Sequence, residues 1–217
     1  MPNQITPVVR ALLIANIAVF ALQAFSSELP FLPFMLWPLG QHVIGIAGGL
    51  PLMQGFEPWQ LVSYGFLHGN LTHLFFNMFA LWMFGPALEM ALRPRRFALY
   101  YFTCVIGAGL VQLAVVTAAL KQGEPPFPTV GASGGVFGIL LGYGLLFPRN
   151  RMMLIFPPVE MSARTFVILY GAAELAMGVF NTRSGVAHFA HLGGMAFGFF
   201  LLQYWRGRWP FRRRRSM

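Results

Sequence analysis

"PTVGASGGVFGILLGYG", Pro128 to Gly144, is a run without a single charge in which Ser133 stands among glycines and apolar side chains. Pro125, Pro126 and Pro128 forbid a regular helix just before it, so the apolar helix can begin only near Ser133. If that helix ends near Pro148 and Arg149, its length of about 22 Å falls short of a hydrocarbon core roughly 30 Å thick. The helix is therefore expected to start inside the membrane. The stretch from Lys121 to Ala132 is expected to dip into the protein, because lipid tolerates irregular backbone only where it is shielded or lines a wet cavity.

Composition supports the membrane setting. Of 217 residues, 57% are hydrophobic and only 10% are charged, which leaves too little polar surface for an ordinary water-facing exterior. Six apolar segments, at about 8–26, 71–92, 97–119, 133–147, 165–180 and 188–205, approach the roughly 20 residues a spanning helix needs. The expected fold is an all-α membrane protein, one six-helix bundle over 1–217 with its core at about 8–205 and a basic tail at 206–217. Arg10 ahead of an apolar run ending in "ALQAFSS" resembles a secretory leader, but Asn16 and Gln23 interrupt the run and favour a retained helix. The connection over about 27–70 is rich in Pro, Gly, Phe and Trp, too apolar for an ordinary loop and too broken for a span. It is expected to lie in the membrane interface.

The basic residues set the orientation. With a cytoplasmic amino terminus, 13 of the 15 fall on inside segments, and only Lys121 and Arg183 remain outside, so both termini are expected in the cytoplasm. Clustering between apolar runs also argues that the net charge of +9 writes topology and does not bind nucleic acid. Cys104 is the only cysteine, so neither an internal disulfide nor a thiolate metal cluster can form.

Polar residues at membrane depth are costly and tend to be functional. His68, His73 and Asn77 in "HGNLTHLFFNM" and His188 and His191 in "AHFAHLGGMAFG" all fall at the depth inferred for Ser133. A helix start stabilises negative charge through its free N–H groups and dipole, and serine attacks only when a base takes its proton. The plain alternative is that Ser133 caps its helix. His73 and Asn77 are four apart and share a helix face, from which both can donate hydrogen bonds to one point. Gly134, Gly138 and Gly142 on the fourth segment and Gly194 and Gly198 on the sixth form small-residue stripes that let these two helices approach.

"GASG" (131–134) opening one span, "HGNLTHLFFN" (68–77) on an earlier one and "AHLGGMAFG" (190–198) on the last resemble, in order and spacing, the rhomboid intramembrane serine proteases. The resemblance runs from about Trp59 to Gly198, over a six-helix core without the seventh helix some relatives add. It implies Ser133 as nucleophile, His191 as general base in the H-x-x-G-x-x-x-G frame with Gly194 and Gly198, and His73, Asn77 and the Ser133 N–H as oxyanion donors. Gly131 and Gly134 belong to the nucleophile motif, His68 and His188 accompany the functional histidines, and Phe137 stands where the family often has a tyrosine stacked on the catalytic imidazole. The family's Trp-Arg pair in the first loop is here Trp59 and Gln60, so any anchoring by that arginine is lost.

The implied activity is endoproteolysis of transmembrane segments by a Ser-His dyad, with membrane-protein substrates, no cofactor and no metal. Two further classes compete: a catalytically inactive rhomboid-like protein that binds transmembrane clients, and a small transporter of protons or a polar solute. The chain has no aspartate, so an Asp-based triad is impossible. Glu174 is the carboxylate well inside a span. It is a triad acid or, as expected for a dyad enzyme at a depth where charge is costly, a carboxyl bonded to a neighbour such as His188 that ties the fifth and sixth spans together. Fourteen arginines against one lysine suggest a GC-rich bacterial gene and thus a bacterial inner (plasma) membrane.

Overall fold

The computed structural model describes residues 5–153, 158–180 and 187–207; Arg183, Arg208 and Arg212 to Arg215, with the basic tail beyond Gly207, lie outside them. The chain is mostly helical: α1 (Pro7–Phe25), α2 (Gln60–Ser63), α3 (Leu71–Leu92), α4 (Pro94–Lys121), α5 (Ser133–Leu146), α6 (Ala163–Phe180) and α7 (His188–Trp205). All but the short α2 fall on the six apolar segments of the sequence. By length and composition α1, α3, α4 and α6 can cross a membrane, and α5 is a shorter apolar helix, which makes this a multi-pass membrane protein. Two histidines and a glutamine lower the apolar character of α7.

The chain is not all-helical. Gln41–Ala47 (β1) and Leu50–Gly55 (β2) pair as an antiparallel hairpin inside the first connection, and Arg151–Met153 (β3) pairs with Glu160–Ser162 (β4). Gly48 and Gly49 join β1 to β2 with φ of 59° and 81°, the left-handed pair a tight two-residue hairpin turn requires. The hairpin leaves Val43, Ile46 and Leu50 exposed.

Helix ends explain how the bundle closes. Pro94 cannot continue α3 but suits the first turn of α4, so the two helices meet at Arg93. The first turn of α1 has free N–H groups; the buried Glu89 of α3 takes those of Val8 (3.0 Å) and Val9 (2.9 Å) and the Thr6 hydroxyl. Tyr100 on α4 donates to the Gly138 carbonyl at 2.7 Å, fastening α4 to α5.

The small-residue stripes pack differently from the simple facing arrangement. A Cβ at Gly194 would fall on the Gly134 carbonyl oxygen, so α7 does touch α5 backbone to backbone. The α5 stripe itself, however, turns toward α4: Gly134 faces Ala108 and Gly138 faces Cys104, while Gly142 meets Leu88 and Tyr100. The helix α4 is the third wall of this contact, because its own small residues leave room there.

Gln60, where the related pattern has arginine, is fully buried. Its Nε2 donates to the carbonyls of Gly55 (3.0 Å) and Pro33 (3.2 Å), and its Oε1 accepts from the Trp37 N–H (3.1 Å). Trp59 Nε1 also donates to Pro33 O at 3.0 Å. A neutral amide thus anchors the first connection. Gln60→Ala should take the amide partner from the Trp37 N–H and the Gly55 carbonyl, while Pro33 O keeps Trp59, and cost about 1–3 kcal/mol, read as a lowered thermal midpoint by differential scanning in detergent; an unchanged midpoint would mean that water replaces the amide.

Candidate active site

Asn70 starts α3 by accepting the His73 N–H at 2.8 Å through its side chain, the usual work of an Asn cap. This places His73 in the first turn and Asn77 one turn on, where Asn77 Nδ2 donates to the His73 carbonyl at 2.9 Å. Asn77 is buried, and that bond uses one of its two N–H hydrogens.

The segment ahead of α5 is held by the first connection. Leu36 and Thr129 exchange backbone hydrogen bonds of 3.0 and 2.9 Å, the Gly131 N–H donates to Tyr64 O at 2.9 Å, and Gln112 Nε2 donates to the Thr129 hydroxyl at 3.2 Å. Thr129, Gly131 and Ala132 are buried, whereas Lys121 to Pro125 are exposed, so only the last part of the 121–132 stretch enters the protein. The His73 imidazole closes on the bare Cα of Gly131: a Cβ there would lie 2.6 Å from His73 Cε1 and 3.7 Å from Ser133 Oγ. His73 and Ser133 therefore flank one spot, which only glycine leaves open.

Ser133 does not cap α5. Ala132 occupies the cap position without a side-chain bond, and Ser133 Oγ instead lies 2.8 Å from His191 Nε2. His191 Nδ1 lies 2.8 Å from Glu174 Oε2, and His188 Nδ1 lies 2.7 Å from the same oxygen. With Glu174 ionised its oxygen can only accept, which puts the proton on both Nδ1 atoms and leaves His191 Nε2 to accept from the Ser133 hydroxyl. Phe137 stacks on His191 with ring centres 4.1 Å apart and planes 6° apart. Gly198, one turn beyond Gly194, abuts the Tyr100 hydroxyl on α4.

Both readings of Glu174 offered by the sequence, the expected bond to His188 and the alternative bond to His191, are present at once. Tyr170 was missed: it stacks behind Phe137 at 5.2 Å, with Phe166 beyond it at 5.4 Å. The signal was present, because Phe166, Tyr170 and Glu174 recur every four residues and so line one face of α6. Glu174, His188 and His191 also hold three ligand-type atoms within 4.8 Å of one another, but a metal there would have to displace the protons that join them.

His68, in the turn before α3, lies edge-on to His73 with ring centres 5.1 Å apart. It lines a cavity of about 420 Å³ with Phe20, Gln23, Met35 and Asn70, and neither of its ring nitrogens has a hydrogen-bond partner among the described residues. Burial, reinforced by His73, pushes its pKa down to about 4. The unfolded ring protonates near 6.5, so the neutral folded ring contributes full stability above about pH 6.5, and stability declines as pH falls toward 4. The thermal midpoint of the native chain should fall over that window, and that of His68→Gln should fall less; parallel curves would refute the assignment to His68.

A hydroxyl bonded to the bare nitrogen of a fixed imidazole, at the start of a helix, can lose its proton and attack a carbonyl. Residues 55–207 match the Rhomboid domain family. The chain is 29% identical to the rhomboid protease GlpG of Klebsiella pneumoniae over 88% of its own length and 60% of that protein. It is 33% identical to the putative rhomboid protease YdcA of Bacillus subtilis over 84% of each, and 34% identical to RHOMBOID-like protein 4 of Arabidopsis thaliana over 71% of its length and 36% of that protein. Of GlpG and the Arabidopsis protein, therefore, it spans less than two thirds.

Proposed function

The chain belongs to the rhomboid family, and from that premise we propose that it is an intramembrane serine endopeptidase that cleaves transmembrane segments of other membrane proteins. The observation that carries this reading is the 2.8 Å contact between Ser133 Oγ and His191 Nε2. Ser133 attacks the scissile carbonyl carbon, His191 Nε2 takes the hydroxyl proton, and the carbonyl electron pair moves onto oxygen. His73, Asn77 and the Ser133 N–H donate to that oxygen, which is worth most in a site shielded from bulk water. His191 then passes its proton to the departing amine, and a water molecule releases the acyl group. The stack of Phe137 on His191 supports the base by fixing its plane.

Six spans with both termini in the cytoplasm of a bacterial inner membrane place this site toward the outer face. A substrate helix that unwinds near its outer end would meet Ser133 there. A fluorophosphonate should label the native chain at Ser133, and co-expression with single-span substrates should yield two fragments that are absent with Ser133→Ala. A transporter or an inactive client-binding relative would give neither label nor fragments.

A further inference from the structure

Glu174 sits behind His191, on the side away from Ser133, and is buried, with 4% of the residue exposed. A buried carboxylate is a poor stabilising device, since an apolar replacement of similar volume is often neutral or better. Two features of the site give it something else to do. The stack with Phe137 fixes the plane of the His191 ring, but a half-turn about the Cβ–Cγ bond keeps that plane while exchanging Nδ1 with Cδ2 and carrying Nε2 away from Ser133. The Ser133 hydroxyl selects the working orientation only while it is free to bond Nε2, whereas Glu174 Oε2, 2.8 Å from Nδ1, distinguishes nitrogen from carbon on the far side of the ring throughout the reaction. The second feature is His188, whose Nδ1–H reaches the same oxygen at 2.7 Å and so holds the carboxylate itself in place.

We propose that Glu174 is a positioning residue that acts through His191, so that the site works as Ser133, His191 and Glu174 in series and not as the dyad the family resemblance implies. The inference rests on the serine-protease reading above. When Ser133 Oγ bonds to the carbonyl carbon and its proton moves to Nε2, the imidazolium that forms is stabilised by the carboxylate on its other nitrogen. When the proton passes to the leaving amine and the C–N bond breaks, His191 returns to its starting tautomer with Nδ1–H still held by Glu174.

The test compares the purified full-length native chain, Ser133→Ala and Glu174→Gln on one single-span substrate, with kcat, KM and thermal midpoint measured for each. Glu174→Gln should lower kcat by about 10² to 10⁴ with KM within about threefold of native. A kcat within about tenfold of native in the folded Glu174→Gln protein, or a loss traceable only to a lower midpoint, overturns the proposal. A second measurement needs no substitution of Glu174: ¹⁵N histidine spectra of the native chain should show His191 protonated at Nδ1 and bare at Nε2, and the opposite tautomer overturns the proposal even if Glu174→Gln does not fold. Activity persisting in Ser133→Ala would remove the serine-protease reading itself. An inactive Ser133→Ala beside a near-native Glu174→Gln would remove this inference alone.

Discussion

Cleavage by the Ser133→Ala and His191→Ala proteins is expected to fall by roughly 10⁶ in kcat, because in serine hydrolases either loss alone costs about as much as losing the whole catalytic group. Ser133 is the only hydroxyl joined to His191 Nε2 among the described residues. Both variants should still fold: the Ser133 hydroxyl is not a helix cap, and His188 keeps its bond to Glu174 without His191. His188→Ala should cost far less, about tenfold, since it removes the brace on Glu174 and leaves the His191 bond. Turnover assays on a single-span substrate, beside circular dichroism in detergent, separate these outcomes. If His188→Ala were dead and His191→Ala active, the base would be His188.

The second large effect concerns the oxyanion. His73→Ala and Asn77→Ala should each lower kcat by roughly 10² to 10³ and change KM much less, because their bonds strengthen only as the carbonyl oxygen gains charge. The His73 ring already lies against Gly131, on the spot that Ser133 Oγ also faces. Asn77 lies one turn deeper and is held by the His73 carbonyl. Equal losses in kcat/KM and kcat would fit a role in the transition state; a rise in KM alone would make the pair substrate-binding residues.

Much of this arrangement was legible in the sequence. The long helices announce themselves because apolar runs of that length have few other solutions, and the short α5 was visible from the prolines before it and the charge after it. The β1–β2 hairpin was missed although "AGGL" (47–50) is a strong turn signal. Its strands read as part of an irregular interfacial connection because they do not alternate polar with apolar, and both faces carry exposed aliphatic side chains. That Ser133, His191 and His73 fall at one depth followed from the spans that carry them, and the resemblance supplied their separate roles. The reach of Glu174 to His191 did not follow, since it depends on how far α6 is rotated about its axis, which a sequence fixes only through packing partners such as Phe137 and Tyr170. Gln60 is a similar case: its residue type suggested a lost anchor, and only the positions of three backbone groups reveal that an amide can replace it.

The closing of α1 by Glu89 bears on the order in which the chain assembles at the ribosome. Val9 and Glu89 are 80 residues apart, which at about 5–20 residues per second is a delay of about 4 to 16 s. Until then the first-turn amides of α1 have no partner from α3, and burying them in hydrocarbon would cost several kcal/mol each. The Thr6 end of the first span must therefore wait among water and headgroups until the end of α3 is synthesised. A substitution at Glu89 would thus act before the assembled protein exists, lowering the yield of inserted protein measured by pulse-chase while leaving any turnover by the molecules that do assemble close to native.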